Sequence, residues 1–379
     1  MDDLNTLLSL RLNLDDFDKI PPQFKNYEID SGRVTFRVDG EFEVDLTIAD
    51  EDFDKQFWFI DFRFSYSPAP ATIRDRLRDY LEACVNDALA KDGLAGCYQF
   101  LHEFVLTCKI NELKRQANQL SKAAWTGTLK VEPLHRALAL QYWTSRMPPT
   151  SPKSWALVAV NSGSKQKTPS GVKPTSFLEV KWYRDNKVVA DVDVALDLEN
   201  LSAEALLRNV VGHHIEFILR GIYDKLLETS RYKDGELQIS LDISHDDPAE
   251  SCLKAQVTHS TSISLLIEPK TGVFAIKPNS KFTIHQEHKL NSGANQIEGG
   301  FMCVEDVRCA FMEDEISRRS SSMGWVITRP ALKEDEVRSM TKMRNWTRMV
   351  WLQRKGWSTG WSLVVVLSQG SDEWWLAET

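Results

Sequence analysis

Residues 56–66 have the sequence Gln-Phe-Trp-Phe-Ile-Asp-Phe-Arg-Phe-Ser-Tyr and hold the clearest structural signal in the chain. Large apolar side chains occupy every second position, namely Trp58, Ile60, Phe62 and Phe64. A period of two is typical of a β-strand that buries one face, because successive side chains of a strand point to opposite sides. We therefore expect these four side chains to include the buried face of a central strand.

Two shorter runs with the same period precede this strand. Residues 34–38 and 42–48 alternate apolar with polar side chains, and Asp39-Gly40 separates them. Asp-Gly between two alternating runs is typical of a tight β-hairpin, since glycine adopts the positive φ angles that such turns need. The sequence thus predicts an antiparallel sheet that begins near residue 32.

The period changes from two to about 3.6 after the prolines at 68 and 70. Apolar residues then recur at helical spacing over 72–93 and 94–122, with Gly93 between the two runs. The second run carries apolar residues on two faces, so we expect long helices that contact more than one partner. Alternation returns from Leu138 onward.

The chain contains an internal echo with a period of about 200 residues. The matched pairs are 136–141 with 348–353, 155–163 with 361–370, and the tryptophans that follow the long helical patterns, Trp125 with Trp325. Such self-similarity is typical of a structural unit that occurs twice in one chain.

We therefore predict an α+β fold of two related repeat modules, each an antiparallel β-sheet with packed long α-helices. Residues 1–31 form an N-terminal helical and linker segment in this scheme, 32–230 the first module and 231–379 the second. The apolar run Trp374-Trp375-Leu376 lies close to the last residue. We expect the second module to be truncated there and completed by further chain or by a partner.

Composition excludes several classes of protein. The chain has 379 residues, 42% of them hydrophobic, and a formal net charge of −8. The longest apolar runs, such as 363–367, are far shorter than the ~20 residues that span a bilayer. The acidic balance excludes a chain-wide basic surface for nucleic acid, although not a local patch. None of the six cysteines forms a Cys-x-x-Cys pair, which favours free thiols in a reducing compartment.

We find no catalytic, cofactor-binding or metal-binding residue to nominate. The sequence contains neither the Gly-x-x-x-x-Gly-Lys-Ser/Thr phosphate loop nor the dinucleotide motif Gly-x-Gly-x-x-Gly. His285 and His288 are three residues apart, but their polar surroundings resemble a strand, which does not aim both rings at one ion. Paired acids such as Asp246-Asp247 are typical of solvated turns.

One segment has a composition typical of a binding surface. From Val337 to Ser371 there is no acidic residue, while basic and tryptophan residues alternate along it. Tryptophan and arginine are the preferred anchors of protein interfaces. The candidate interface residues are Arg344, Trp346, Arg348, Trp351, Arg354 and Trp357. Two alternatives stay open, a folded core with a solvated basic face and a surface for single-stranded nucleic acid.

Several extended segments resemble a known family. They are 32–48 (Gly-Arg-Val-Thr-Phe-Arg-Val-Asp-Gly-Glu-Phe-Glu-Val-Asp-Leu-Thr-Ile), 56–64, 101–113 (Leu-His-Glu-Phe-Val-Leu-Thr-Cys-Lys-Ile-Asn-Glu-Leu), 129–132 and 136–143. Together they are similar to the repeat-module region of the family of subunit 14 of the Mediator complex of RNA polymerase II. The likeness is densest between residues 32 and 143, and the second half, including 324–330, fits less sharply.

The resemblance implies a non-enzymatic scaffold subunit of the Mediator transcription coactivator, located in the nucleus. Such a subunit links the head, middle and tail modules and relays regulatory signals to RNA polymerase II through the assembled complex. Its partners are other Mediator subunits, with no membrane and no direct nucleic-acid contact. Members of the family are much longer, so we expect a fragment that lacks an N-terminal helical part and a long C-terminal part.

Two hypotheses from other classes compete with a scaffold. The first is an enzyme with a non-contiguous active site on the sheets, which requires a concave pocket with convergent polar groups. The second is a direct nucleic-acid binder through residues 338–355, which requires an open basic surface.

Overall fold

The computed structural model describes residues 2–70, 73–146, 151–163, 175–328, 346–358, 360–369 and 371–378. The chain forms two compact units. Unit 1 comprises Met1–Tyr142 with Pro152–Leu207, and unit 2 comprises Trp143–Ser151 with Arg208–Thr379. Antiparallel sheets and long helices alternate in both, which confirms the predicted α+β fold with repeated sheet modules. The module limits predicted from the sequence, 32–230 and 231–379, stay a prediction.

Unit 1 begins with a helix and a four-stranded sheet. The elements are α1 (Asp2–Leu10), β1 (Tyr27–Asp30), β2 (Arg33–Val38), β3 (Phe42–Thr47) and β4 (Trp58–Phe64). The strands follow one another in the order β1-β2-β3-β4, all antiparallel. The predicted hairpin lies between β2 and β3, where Gly40 has a φ of +67°. Val34, Phe36, Phe42 and Val44 are fully buried on one face, as their alternation predicts.

The strand β4 corrects one prediction. It lies at the edge of its sheet, not in the centre. Asp61 pairs with Asp45 while Phe59 pairs with Leu46, so Ile60 is an extra residue that forms a β-bulge. The bulge reverses the alternation, and Phe59 and Phe62 are therefore buried whereas Trp58 is 43% exposed.

The predicted pair of helices forms one element with a sharp break. Helix α2 (Asp75–Lys122) changes direction at Gly93, whose φ of 62° and ψ of −147° are not helical. Only glycine adopts this conformation readily, because it has no Cβ. Beyond the break, the side chains of Leu101 and Val105 are buried, and so are those of Ile110 and Leu113. Leu101 belongs to the first predicted apolar face of this helix, and Ile110 and Leu113 belong to the second.

A second, five-stranded sheet completes unit 1. Its strands are β5 (Lys130–Leu134), β6 (Ala137–Gln141), β7 (Trp155–Asn161), β8 (Phe177–Arg184) and β9 (Lys187–Val189), in the order β5-β6-β7-β8-β9. Helix α3 (Ala203–Leu227) follows and leads into unit 2.

Unit 2 repeats the order of sheet, helices and sheet. It contains α4 (Ser230–Lys233), then β10 (Ile239–Asp242), β11 (Cys252–Thr258), β12 (Thr261–Ile267) and β13 (Phe274–Lys277), then α5 (Lys281–Ser292) and α6 (Gln296–Ser322), then β14 (Trp325–Thr328), β15 (Trp346–Arg354), β16 (Trp361–Ser368) and β17 (Glu373–Glu378). Each set of four strands forms an antiparallel sheet in chain order.

The helix α5 corrects a second prediction. His285 and His288 lie on this helix and not in a strand. The Ser280 hydroxyl accepts hydrogen bonds from the backbone N–H groups of Phe282 and Thr283, and Thr283 bonds back to the Ser280 N–H, which forms a capping box. This cap starts a helix that its polar sequence alone does not reveal.

The sequence echo corresponds to equivalent positions in the two units. Segments 136–141 and 348–353 lie on the second strand of each second sheet, and 155–160 and 361–366 lie on the third. The break in α2 at Gly93 has its counterpart at Gly293, which separates α5 from α6. Trp125 lies between the end of α2 and the start of β5, and Trp325, just after α6, is the first residue of β14.

Candidate protein-interaction surface

The sheet β14–β17 has apolar side chains on both faces. Val350, Leu352, Val365 and Leu367 form one buried cluster with Cys309 of α6. Trp351, Val364 and Val366 alternate with them along β15 and β16 and form a separate buried cluster. Because successive residues of a strand point to opposite sides, the second cluster lies on the face away from α6.

The structure separates several of the predicted interface residues. Arg344 lies outside the described residues, and Trp346 begins β15 with a side chain that is not described. Arg348 forms an ion pair with Glu313 of α6. Trp351 is only 8% exposed and points to the opposite face of the sheet.

The last two predicted residues do meet in space. The Arg354 guanidinium carbon lies 5.9 Å from the centre of the Trp325 ring, a cation–π contact. Trp357 meets the same ring edge to face, with 5.1 Å between the ring centres. Trp357 is 37% exposed. The basic and aromatic run therefore contributes its C-terminal end, not its whole length, to one surface.

Further apolar side chains extend this surface. Leu376 and Trp374 pair across the sheet with Leu363 and Val365, and therefore lie on the face that α6 packs against. Both are 59% exposed, so the helix does not cover them. We define the tryptophan patch as Trp325, Trp357, Trp361, Trp374 and Leu376. The sequence contains the run Trp374-Trp375, but the pairing of β16 with β17 decides which of the two tryptophans faces the patch.

A shallow cleft of about 220 Å³ lies within the tryptophan patch, lined by Trp357, Ser358, Trp361 and Leu376. The segment Gly356-Trp-Ser-Thr-Gly360 around it has the Gly-x-Ser-x-Gly spacing of serine hydrolases. In those enzymes the serine lies on a turn from a strand into a helix. Here the segment joins the antiparallel strands β15 and β16, so the motif lacks the structural context of that active site.

A buried charge cluster fixes the turn that precedes β17. Arg308 of α6 donates hydrogen bonds to the Ser368 carbonyl at 2.6 Å and to Asp372 at 2.9 Å. Arg231 of α4 also contacts Asp372, at 3.0 Å. Glu305, fully buried, accepts from both arginines at 3.1 Å. These bonds join α4 and α6 to the turn between β16 and β17, and so position Trp374 and Leu376.

Burial dominates the electrostatics of Glu305. It raises the pKa of this carboxyl, even though the positive charges of Arg308 and Arg231 act in the opposite direction. One carboxylate oxygen, Oε1, has no hydrogen-bond partner among the described residues. The positive charges of Arg308 and Arg231 are paired with the negative charges of Glu305 and Asp372, and such pairing offsets the cost of burying charged groups.

The described part of the chain holds no group of three or more histidine, cysteine, aspartate or glutamate residues arranged for a metal ion. None of its helices combines the length and apolar composition needed to cross a membrane. All six cysteines are free thiols. The exposed tryptophan patch is therefore the feature that we take as the candidate functional site.

Comparison with protein families gives two matches. Residues 222–316 match the family described as the fungal Med14 domain. Residues 1–50 match the family described as Mediator complex subunit MED14. The two matches fall in different units, at the N-terminus of unit 1 and across α3 to α6 of unit 2.

Curated relatives cover the whole chain. A protein of Pyricularia oryzae is 44% identical over 100% of this chain, and one of Neurospora crassa is 42% identical over 100%. A protein of Chaetomium globosum is 37% identical, again over 100%. All three are named Mediator of RNA polymerase II transcription subunit 14. The chain spans about a third of their length, 34%, 31% and 33% respectively. Over its full length, this chain belongs to the family of Mediator subunit 14.

Proposed function

We propose that this chain is part of a nuclear scaffold subunit of Mediator, which acts by contact with other subunits and not by catalysis. In this proposal it helps to link the head, middle and tail modules, and it reaches RNA polymerase II only through the assembled complex. The names of the relatives support a role in Mediator. The exposed tryptophan patch supports a role through contact.

The exposed side chains of the tryptophan patch favour association with a partner. Trp357, Trp361 and Leu376 line one cleft, and Trp374 lies two residues from Leu376 on the same face of β17. All four side chains are at least 36% exposed. Burial of apolar surface is worth roughly 25 cal/mol per Å², so an uncovered aromatic cluster is a strong driving force for association. Tryptophan is among the residues that carry most of the binding energy in interfaces. A protein partner that covers this patch would gain binding free energy from the burial of these side chains.

The same surface does not favour nucleic acid. Arg348 is engaged by Glu313, and Arg354 lies over Trp325. Of the three basic side chains described in the segment 346–358, these two have partners within the chain, and Lys355 is the one without a partner among the described residues. The electrostatic term that dominates nucleic-acid binding needs basic groups that are available to phosphates.

The test is a binding measurement on the double variant Trp374→Ala/Leu376→Ala. The chain is co-expressed with Mediator head and middle subunits, and the captured complex is quantified. We expect capture to weaken by at least about tenfold, which is the loss typical of removing an interface anchor. The melting temperature of the isolated chain should hardly move, because both side chains are largely exposed.

The matched control is Trp58→Ala, which removes a tryptophan of similar exposure, 43%, from the other unit. This variant should assemble normally. Unchanged capture by the Trp374→Ala/Leu376→Ala variant would reject the tryptophan patch as the interface. A parallel fall in capture and in melting temperature would assign these residues to the folded core.

A further inference from the structure

The last turn of helix α6 carries an exposed serine beside two exposed arginines. Arg318, Arg319 and Ser321 all face solvent. The intervening Ser320 is buried. The pattern Arg-Arg-x-Ser occurs only here in the 379-residue sequence. Arg319 forms an ion pair with Glu315 one turn earlier, and no residue that the structure describes forms an ion pair with Arg318. Both guanidinium groups and the hydroxyl are therefore accessible from solvent.

This pattern is typical of a serine that a protein kinase phosphorylates. Kinases choose substrates partly by charge, and those with an acidic substrate cleft favour arginines two and three residues before the hydroxyl. The end of a helix also suits such an enzyme, because helix ends fray more readily than helix centres. Gly324, three residues beyond Ser321, has a φ of +78° in the turn that leads into β14. A kinase can therefore bind this segment with little unfolding of the chain.

Other hydroxyl groups with a basic residue three positions before them lack one of these features. Ser176 donates a hydrogen bond to Glu103 at 2.6 Å, and Thr347 lies within strand β15. Ser358 is exposed, but it has a single lysine at this spacing and a glycine at the next position. The structure thus favours Ser321 over these hydroxyls.

The Ser321 hydroxyl stabilises the last turn of α6. It donates a hydrogen bond to the Ser317 carbonyl at 2.9 Å. The Gly324 N–H donates to the Ser321 carbonyl at 3.2 Å, and the Met323 N–H donates to the Arg319 carbonyl at 3.1 Å. These bonds satisfy carbonyl groups at the end of the helix, where the helix dipole is negative.

A phosphate on Ser321 opposes these interactions. It removes the hydroxyl proton that bonds to Ser317, and it places a charge of about −1.5 to −2 beside carbonyl oxygens. Negative charge destabilises the C-terminus of a helix, because the helix dipole has the same sign there. We therefore expect phosphorylation to loosen the last turn of α6.

This turn leads directly into the tryptophan patch. Trp325, four residues after Ser321, is the first residue of β14. Its ring meets Trp357 edge to face and lies under the Arg354 guanidinium. Loosening the turn therefore weakens the support of one tryptophan of the patch. A partner that covers the patch also has to remove water from the nearby phosphate, which costs binding free energy.

We propose that Ser321 is a phosphorylation site for a kinase that selects arginine pairs, and that phosphorylation weakens binding at the tryptophan patch. The second part rests on the function proposed for that patch. In the reaction, the Ser321 Oγ attacks the γ-phosphorus of a nucleoside triphosphate and forms a new O–P bond. The bond from that phosphorus to the oxygen of the β-phosphate breaks, the nucleoside diphosphate leaves, and the hydroxyl proton passes to a base of the kinase.

The first experiment locates the phosphate. The complete chain is incubated with ATP and the catalytic subunit of cyclic-AMP-dependent protein kinase, which selects arginine pairs, and the modified peptide is identified by mass spectrometry. We expect the phosphate on Ser321, and Ser321→Ala should lose it. Arg318→Ala/Arg319→Ala should slow incorporation by about tenfold or more, since two charge-assisted contacts to the kinase are lost.

The matched control is Ser322→Ala, which removes the neighbouring exposed hydroxyl, itself bonded to the Arg319 carbonyl at 2.7 Å. This variant should be phosphorylated as fast as the native chain. A phosphate mainly on Ser322 or Ser358, or none on the chain, would overturn the proposal.

The second experiment compares amide hydrogen exchange of the phosphorylated and unmodified chains. The Met323 and Gly324 amides should exchange faster by about fivefold or more after phosphorylation, because a hydrogen bond is lost and the helix dipole is opposed. Amides of α5 should keep their exchange rates. Equal or slower exchange at the end of α6 would contradict the loosening of this turn.

The third experiment measures capture by Mediator head and middle subunits. The phosphorylated chain should be captured at least about threefold less than the unmodified chain. Ser321→Ala treated with the kinase should be captured like the unmodified chain. Normal capture of the phosphorylated chain, together with weak capture of Trp374→Ala/Leu376→Ala, would overturn the regulatory part alone. Normal capture of both would reject the tryptophan patch as the interface, and the regulatory part with it.

Discussion

The outer strands of the two first sheets, β4 in unit 1 and β13 in unit 2, have the same place in the repeat but different surroundings. In unit 2, Asn291 and Glu287 satisfy the backbone of Phe274 and Ile276. In unit 1, a bulge at Ile60 shifts the strand, and no residue that the structure describes bonds to the outward backbone groups of Phe62 and Phe64. A repeated fold can therefore keep its topology while one copy protects an edge and the other presents it.

The two units also place their buried charges differently. In unit 1, Asp45 lies within the first sheet and accepts from Arg63 and Thr35 at 2.8 Å. Burial alone would raise the pKa of Asp45, but the hydrogen bond from Arg63 and its other partners outweigh burial and lower it. In unit 2, the cluster around Glu305 connects helices to a turn of the second sheet. Charge thus reinforces a sheet in one unit and joins elements in the other.

The largest expected effect tests the bulge that distinguishes β4 from β13. Phe62 is 4% exposed and Trp58 43%. Phe62→Ala should lower the free energy of unfolding by about 3–5 kcal/mol, the cost of a large cavity in a core. Trp58→Ala should cost less than about 1 kcal/mol. Urea denaturation measures both, and a larger loss for Trp58 would contradict the bulge.

The next prediction concerns the closed edge of unit 2. Asn291→Ala removes both bonds to Phe274, whose backbone then lacks a partner beside a fully buried side chain. We expect a loss of about 1–3 kcal/mol in the free energy of unfolding. The control Ser292→Ala alters an exposed neighbour and should cost less than about 0.5 kcal/mol. Equal free energies of unfolding for both variants would show that Asn291 does not stabilise the edge of β13.

The two glycines at the helix breaks provide a matched pair. Gly93 has a φ of +62° and Gly293 a φ of −82°. An added Cβ at Gly93 meets nothing within 4 Å, so any cost there comes from the backbone alone. Gly93→Ala should cost about 1–3 kcal/mol, and Gly293→Ala less than about 0.5 kcal/mol. Thermal unfolding measures both variants, and equal melting temperatures would contradict the predicted difference between the two glycines.

The smallest expected effect is a pH dependence confined to unit 1. Burial alone would lower the pKa of His102, but the Glu41 carboxylate, 2.7 Å from Nδ1, outweighs it and raises the pKa above the usual 6.5. A raised pKa in the folded state stabilises the protein below pH 6.5, and this contribution disappears as the pH rises through the folded pKa.

The measurement is the urea midpoint across that pH range for the native chain and for His102→Gln. The native chain should lose stability relative to the variant as the pH rises. The control His288→Gln changes an exposed histidine of unit 2 and should follow the native chain. Parallel curves for all three proteins would contradict a role for the His102–Glu41 pair.

Much of the fold followed from local patterns. The alternation in 34–48, the break at Gly93 and the echo of 136–141 in 348–353 each depend on neighbours in sequence, and the structure agrees with all three. Helix α5 was missed because its signal is a cap at Ser280 and not an apolar stripe. Of the candidate interface residues whose side chains the structure describes, Arg354 and Trp357 meet at the Trp325 ring, whereas Arg348 pairs with Glu313 and Trp351 is buried on the other face of the sheet.

By itself, the sequence determined the class of fold, the repeat and the family resemblance, because periodicity and extended similarity are properties of the chain alone. Tertiary structure decided which side chains are exposed and which backbone groups are paired. The bulge at Ile60, the position of Leu376 beside Trp357 and the bonds from Asn291 to Phe274 all depend on residues distant in sequence. Strand register sets these contacts, and a shift of one residue moves every side chain to the opposite face.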